Sequence, residues 1–171
     1  MKEVKVPMAK PALESEEING VLDVLKSGWL GQGKVTKQFE KNLSDYFSTN
    51  VMAINSGSSA TMCSMMAHGI KPGDKIVVPD FTFITTCSVP KILGAEIIPV
   101  DIDPTTLNID LDALEEIVSN NEIKMVIFVD VAGLTNDLDR LESLSKKYDF
   151  ILLEDAAEGL GSEYKNKKLG S

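Results

Sequence analysis

The stretch Ile151-Leu-Leu-Glu-Asp155-Ala-Ala-Glu158-Gly-Leu-Gly161 decides how this chain is read. Three apolar residues run into an acidic pair, and small residues and glycine follow. A short apolar run without polar alternation suits a strand buried on both faces, as in a parallel α/β sheet. Asp155 then stands at the carboxyl end of that strand, where open α/β sheets place their ligands. A carboxylate there is costly unless a cation meets it, so the stretch raises the question of which cation Asp155 holds.

The pattern repeats upstream. Residues 51–54, 76–79, 97–100, 125–129 and 151–153 read as strands. Residues 58–68, 85–93, 111–119 and 138–148 read as the helices between them, with Pro90 as a weak point in the second. Two amphipathic helices precede them. Ile18, Val21, Leu22 and Leu25 share one face of the first, with Ser15 as N-cap, and Val35, Phe39, Leu43 and Phe47 mark the second. The fold class is α/β: a mainly parallel sheet flanked by helices and wound by right-handed crossovers. A helical segment at 1–50 precedes an α/β core at 51–171.

Composition narrows the function classes. At 43% hydrophobic and 25% charged, 171 residues suffice for one globular core. A net charge of −9 with no basic cluster argues against nucleic acid or an anionic membrane as partner. The apolar run 125–134 contains Asp130 and is too short to span a bilayer, and the start, Met1 to Pro7, lacks the apolar core of a signal peptide. Cys63 and Cys87 stand in no metal-ligand spacing, and reduced cytosolic thiols are expected. His68 is the single histidine, which leaves little for a histidine triad or a multi-histidine metal site. Followed by Gly69, it reads as a helix C-terminal residue.

Asn55-Ser56-Gly57-Ser58-Ser59-Ala60 joins the first apolar run to a helix. Glycine allows close backbone approach, free N–H groups point outward, and the helix dipole favours an anion, so Gly57, Ser58 and Ser59 suit a phosphate. A plain serine N-cap explains the same residues equally well. After the second strand, Phe81 and Phe83 share a parity if the segment stays extended. They offer either a flat face to a planar ring or ordinary core packing.

Two other motifs are decoys. Gly28-Trp-Leu-Gly-Gln-Gly33-Lys34 matches most of a P-loop, but Val35 replaces the Ser or Thr and the segment follows a helix. Asp101-Ile-Asp103-Pro-Thr105 resembles the aspartyl nucleophile motif of haloacid-dehalogenase-type phosphohydrolases. It comes late in the chain without the companion motifs, and turn and capping roles fit it better. Asp130, before Ala132-Gly133, reads as a polar strand end rather than a ligand contact.

A phosphate cradle, an aromatic and a carboxylate, each at a strand's carboxyl end, together suit pyridoxal 5′-phosphate. Its phosphate takes the helix N-terminus, its ring stacks on an aromatic, and its protonated pyridine nitrogen pairs with an aspartate. At these positions the chain resembles the DegT/DnrJ/EryC1/StrS aminotransferases, fold type I enzymes that use this cofactor to aminate nucleotide-linked keto sugars. The resemblance rests on Ser27-Gly-Trp29-Leu, Gly33, Phe39-Glu40, the 55–60 turn, Lys71-Pro-Gly73-Asp74, Thr82-Phe83, Gly94-Ala95, Val100 to Asp103 and Glu154-Asp155-Ala-Ala, in that order.

The resemblance implies Ser58 and Ser59 at the phosphate, Phe83 on the ring and Asp155 on the pyridine nitrogen. Glu158 falls where the family commonly has Gln or His near the ring's phenolic oxygen. It further implies a cytoplasmic homodimer with active sites at the interface, which loops such as 29–33 reach. The substrates implied are a nucleotide-diphospho-4-keto-6-deoxysugar and, as amino donor, glutamate. In the family the Schiff-base lysine follows a further strand, and Lys165, Lys167 and Lys168 do not occupy its position. Two later family strands also separate the first strand from the fifth. The chain is therefore expected to be the N-terminal part of a large domain, without the small C-terminal domain and inactive alone. A dehydratase of the same family, with histidine for that lysine, and a non-catalytic domain that binds a phosphate ligand are the alternatives.

Overall fold

In the computed structural model, residues 10–171 are described, and the Met1 to Pro7 stretch read above lies outside them. Four parallel strands carry the fold: β1 (Lys75–Pro79), β2 (Glu96–Val100), β3 (Met125–Val129) and β4 (Ile151–Asp155), side by side in the order β2-β1-β3-β4. Chain order reverses between β1 and β3, and such a switch point opens a crevice at the strands' carboxyl ends.

The central strands β1 and β3 are apolar because both of their faces are covered. Val77, Val126 and Phe128 pack against Leu114 and Val118 of α5 (Leu111–Asn120) and Leu141 and Leu144 of α6 (Leu138–Tyr148). Their neighbours Ile76, Val78, Met125 and Ile127 turn the other way. They meet Met65 of α3 (Gly57–Ala67) and Val89 of α4 (Thr85–Ile92). This period-2 split of continuous apolar runs is how a doubly covered parallel sheet reads in sequence. The covering helices start on aspartate caps. Asp110 accepts from the Asp112 and Ala113 N–H groups at 2.8 and 3.1 Å, and Asp137 accepts from Arg140 N–H at 3.2 Å. Such caps contribute about 1 kcal/mol each. Helix α4 runs through Pro90 but only two residues beyond it.

The expected strand at 51–54 is absent. The segment pairs with no strand, and β4 has β3 as its one partner among the described residues. A strand needs a neighbouring ladder, and here side chains of α2 (Lys34–Phe47) supply the bonds instead. Ser44 Oγ accepts from Val51 N–H at 3.0 Å and Glu40 Oε1 from Ala53 N–H at 2.9 Å.

Helix α1 (Ser15–Ser27) is capped by Glu14, not by Ser15 as expected. Glu14 N–H donates to Glu17 Oε2 at 2.8 Å, one arm of a reciprocal capping box that places Ser15 inside the first turn. The apolar residues read as one face of each of α1 and α2, among them Ile18, Val21, Val35 and Phe39, are exposed. After β4 the chain closes with a hairpin, β5 (Glu163–Tyr164) and β6 (Lys167–Lys168). Its two turn residues, Lys165 and Asn166, have φ of 50° and 66°, the conformation that suits a two-residue hairpin turn. Leu169 is buried just beyond it.

Candidate functional site

A cleft of about 350 Å³ opens at the carboxyl ends of β1, β3 and β4. Phe81 and Phe83 enter it from the segment after β1, Val129 from the end of β3, and Asp155 and Glu158 from β4 and the turn beyond. The two phenylalanines do not sit on an extended strand. The chain bends at Asp80–Thr82 before α4 begins, yet both rings still line the cleft. Phe83 is 70% exposed, which rules out core packing and leaves its face free for a ligand.

Asp155 is fixed by backbone contacts. Its carbonyl accepts from Asp130 N–H at 3.1 Å, and its Oδ1 accepts from Ala157 N–H at 3.2 Å. Oδ2 has no donor among the described residues, so one oxygen is held and the other is open to the cleft's contents. Glu158 is engaged differently. Its Oε2 accepts from Ala132 N–H at 2.7 Å, in a 3₁₀ turn (Val131–Gly133) where Ala132 has a left-handed φ of 53°. The carboxylate thus ties the turn after β3 to the turn after β4.

Gly57, Ser58 and Ser59 occupy the first turn of α3 as expected, but they do not line this cleft. Ser56 is the N-cap, with its Oγ accepting from Ser59 N–H at 3.2 Å. The Gly57 and Ser58 N–H groups have no acceptor among the described residues, and space beside Gly57 is open. Free amides at a helix N-terminus, serine hydroxyls, an exposed aromatic and an aspartate with an open oxygen fit a phosphorylated, protonated pyridine ring.

The decoys resolve as structural elements. In the 28–33 loop, Trp29 Nε1 donates to Gln32 O at 3.1 Å, and a Cβ on Gly33 would fall 2.6 Å from Trp29 Nε1. The loop wraps its own tryptophan. Asp103 accepts from Thr105 and Thr106 N–H at 2.7 and 3.3 Å and from the Thr105 hydroxyl, and Asp101 Oδ1 accepts from Ile102 N–H at 2.8 Å. The hydrogen bonds pull the Asp103 carboxyl below its usual range, as befits a turn residue.

Asp130 is more than a polar strand end. It is fully buried at 0% exposure, and neither carboxyl oxygen meets a donor. Burial pushes its pKa up and the nearby Asp155 charge adds to that. Thr135 and Glu154 act against it, Thr135 from close by but outside hydrogen-bonding geometry. Glu154 is pushed up to about 7, chiefly by burial and then by Asp130, while the Gly170 backbone N–H works the other way. The acidic pair at 154–155 was visible in the sequence. That its first member meets Asp130 follows from the β3–β4 register, in which Phe128 lies beside Glu154 and Val129 beside Asp155.

Solved structures share this fold. The putative sugar aminotransferase Spr1654 of Streptococcus pneumoniae, in its PMP form, is 34% identical with a TM-score of 0.90, over 97% of this chain and 46% of that one. The Escherichia coli GDP-4-keto-6-deoxy-D-mannose-3-dehydratase with bound hydrated PLP is 31% identical with a TM-score of 0.91, over 96% and 44%. A 3-amino-5-hydroxybenzoic acid synthase is 31% identical with a TM-score of 0.88, over 95% and 43%. The chain spans less than half the length of each of these. The family description that matches residues 11–171 agrees with them, and the chain belongs to the DegT/DnrJ/EryC1/StrS aminotransferase family.

Proposed function

We propose that this chain is the cofactor-binding N-terminal part of a pyridoxal-phosphate-dependent enzyme that aminates a nucleotide-linked 4-keto-6-deoxysugar, with glutamate as amino donor and a homodimer as the working form. The observation that carries the reading is Asp155, held by Ala157 N–H through Oδ1 and open through Oδ2 in a cleft shared with Phe83. The bound cofactor supplies an electron sink for carbanion chemistry, provided its ring nitrogen stays protonated. Asp155 keeps that proton in place by charge pairing at Oδ2. Phe83 stacks on one ring face and keeps water from it. Gly57, Ser58 and Ser59 take the phosphate through free N–H groups and hydroxyls. Glu158, its Oε2 held by Ala132 N–H, braces the cleft wall.

A second reading, sugar dehydration within the same family, is supported by the similarity to the E. coli dehydratase. One experiment tests both. The protein as its gene encodes it is mixed with pyridoxal phosphate, and its absorbance is followed on addition of glutamate. A visible band that vanishes with glutamate while a keto sugar nucleotide is aminated supports the first reading, and sugar deoxygenation without amination supports the second. Absence of any cofactor band defeats both.

A further inference from the structure

We propose that Asp130 and Glu154 hold one proton between them, and that this shared proton positions Asp155 by joining the turn after β3 to the end of β4. The inference rests on the reading of Asp155 as the partner of the cofactor's ring nitrogen.

Alternation along the strands creates the pair. Asp155 turns toward the cleft, and Glu154, one residue earlier, turns to the opposite face with Phe128 beside it. Asp130, just past the end of β3, meets Glu154 there, and each acts on the other's carboxyl. Both Asp130 oxygens and Glu154 Oε1 are buried without a donor. The groups acting on the pair are Asp155 from β4, Thr135 from the loop before α6 and the Gly170 N–H beyond β6. No lysine or arginine among the described residues acts on either carboxyl. Glu158 is committed to Ala132 N–H. The space is closed as well: a Cβ on Gly159 would come within 3.4 Å of both Asp130 Oδ2 and Leu169 Cβ.

Two buried carboxyl groups facing each other without a cation resist being ionised together, and a proton placed between them supplies the donor that the Asp130 oxygens and Glu154 Oε1 lack. The Asp130 backbone N–H is already bonded to the Asp155 carbonyl, so any movement of Asp130 is passed directly to Asp155. With the proton present, the two strand ends are held together. Once it is lost, the two carboxylates repel, and the end of β4 shifts away from the turn. Asp130 and Glu154 are thus positioning residues, acting on the cofactor through Asp155.

Pyridoxamine phosphate is a suitable probe, because it engages Asp155 without a covalent bond to the protein. Its dissociation constant is measured by its own fluorescence from about pH 6 to about pH 8.5 for the wild type, Glu154→Gln and Asp130→Asn. The ligand's own titration is common to all three. The wild-type affinity is expected to fall about tenfold more across this range than that of Glu154→Gln, whose amide donates to Asp130 at every pH. Superimposable profiles, or a variant weakened equally at all pH values, overturn the proposal. Isotope-edited infrared spectra of the wild type with labelled glutamate and aspartate carboxyls give a second readout that requires no variant to fold. A protonated carboxyl band at about pH 6.5 is expected, and its absence overturns the proposal. Asp155→Asn separates the two claims. Unchanged affinity in that variant defeats the assignment of Asp155, whereas the Glu154→Gln profile and the infrared band judge the proton pair itself.

Discussion

Replacing Glu154 with glutamine tests the energetics of the strand end without any cofactor. The Glu154 carboxyl is raised from 4.5 to about 7, chiefly because burial disfavours its charged form. The folded protein therefore binds this proton more tightly than the unfolded chain does. Stability from the protonated carboxyl is fully present below pH 4.5 and is lost as the pH rises through about 7. At roughly 1.4 kcal/mol per pKa unit, the loss is on the order of 3 kcal/mol, and it belongs to the Asp130–Glu154 pair jointly. Glutamine cannot ionise but still donates to Asp130. The difference in unfolding free energy, Glu154→Gln minus wild type, is therefore expected to shift in favour of the variant by about 2–3 kcal/mol between pH 5 and pH 8. Urea denaturation at the two pH values measures it, with equal slopes showing that the midpoints report stability. The carboxyl groups held below their usual range, such as Asp103, Glu115 and Asp137, titrate at lower pH and cancel in the difference. A difference that is the same at both pH values refutes the reasoning.

The other predictions concern the cleft and the frame around it. Asp155→Asn is expected to weaken cofactor binding by roughly ten- to a hundredfold, the range for losing a charged hydrogen bond, as read by equilibrium dialysis. Phe83→Ala is expected to weaken it about threefold to tenfold with little change in thermal stability, because the ring is mostly exposed before ligand arrives. Asp110→Ala removes the cap of α5 and is expected to cost about 1 kcal/mol in urea denaturation without changing cofactor affinity.

Most of the sheet was legible because its strands obey a strong rule. Residues 76–79 and 125–129 are apolar runs buried at the centre of the sheet, 97–100 and 151–153 are apolar runs on its outer, less buried strands, and each lies within an observed strand. The run at 51–54 shows why the rule is incomplete. Its residues have the same character, but strand formation also needs a paired neighbour, and local sequence does not record which strands lie adjacent. Ser44 and Glu40 accept from two of its N–H groups instead, contacts no periodicity announces. The same limit applies to α1 and α2. Their amphipathic spacing was clear, yet Ile18 and Phe39 remain uncovered among the described residues, because amphipathicity specifies a face and not what meets it. At the site, Asp155 and Phe83, read from their places after strands, line one cleft with Glu158, which the family resemblance alone had named, whereas the α3 N-terminus does not line that cleft.

The acidic pair that first marks the site divides its work by strand geometry. Glu154 and Asp155 are adjacent and chemically alike, so nothing in their side chains assigns them different roles. The pleat sends them to opposite faces. On one face Asp155 finds a backbone donor, an open cleft and room for a cation. On the other, Glu154 finds a buried carboxyl and no cation. A one-residue slip of β4 against β3 would exchange these surroundings, leaving the cleft with the longer side chain and burying the aspartate against Asp130. The register therefore sets the electrical state of the site. Leu152, on the Glu154 face, packs with the α5 and α6 core, and Ile151 and Leu153, on the Asp155 face, pack with the α3 and α4 core. The apolar residues preceding the pair thus act on its chemistry by fixing which carboxylate faces the ligand.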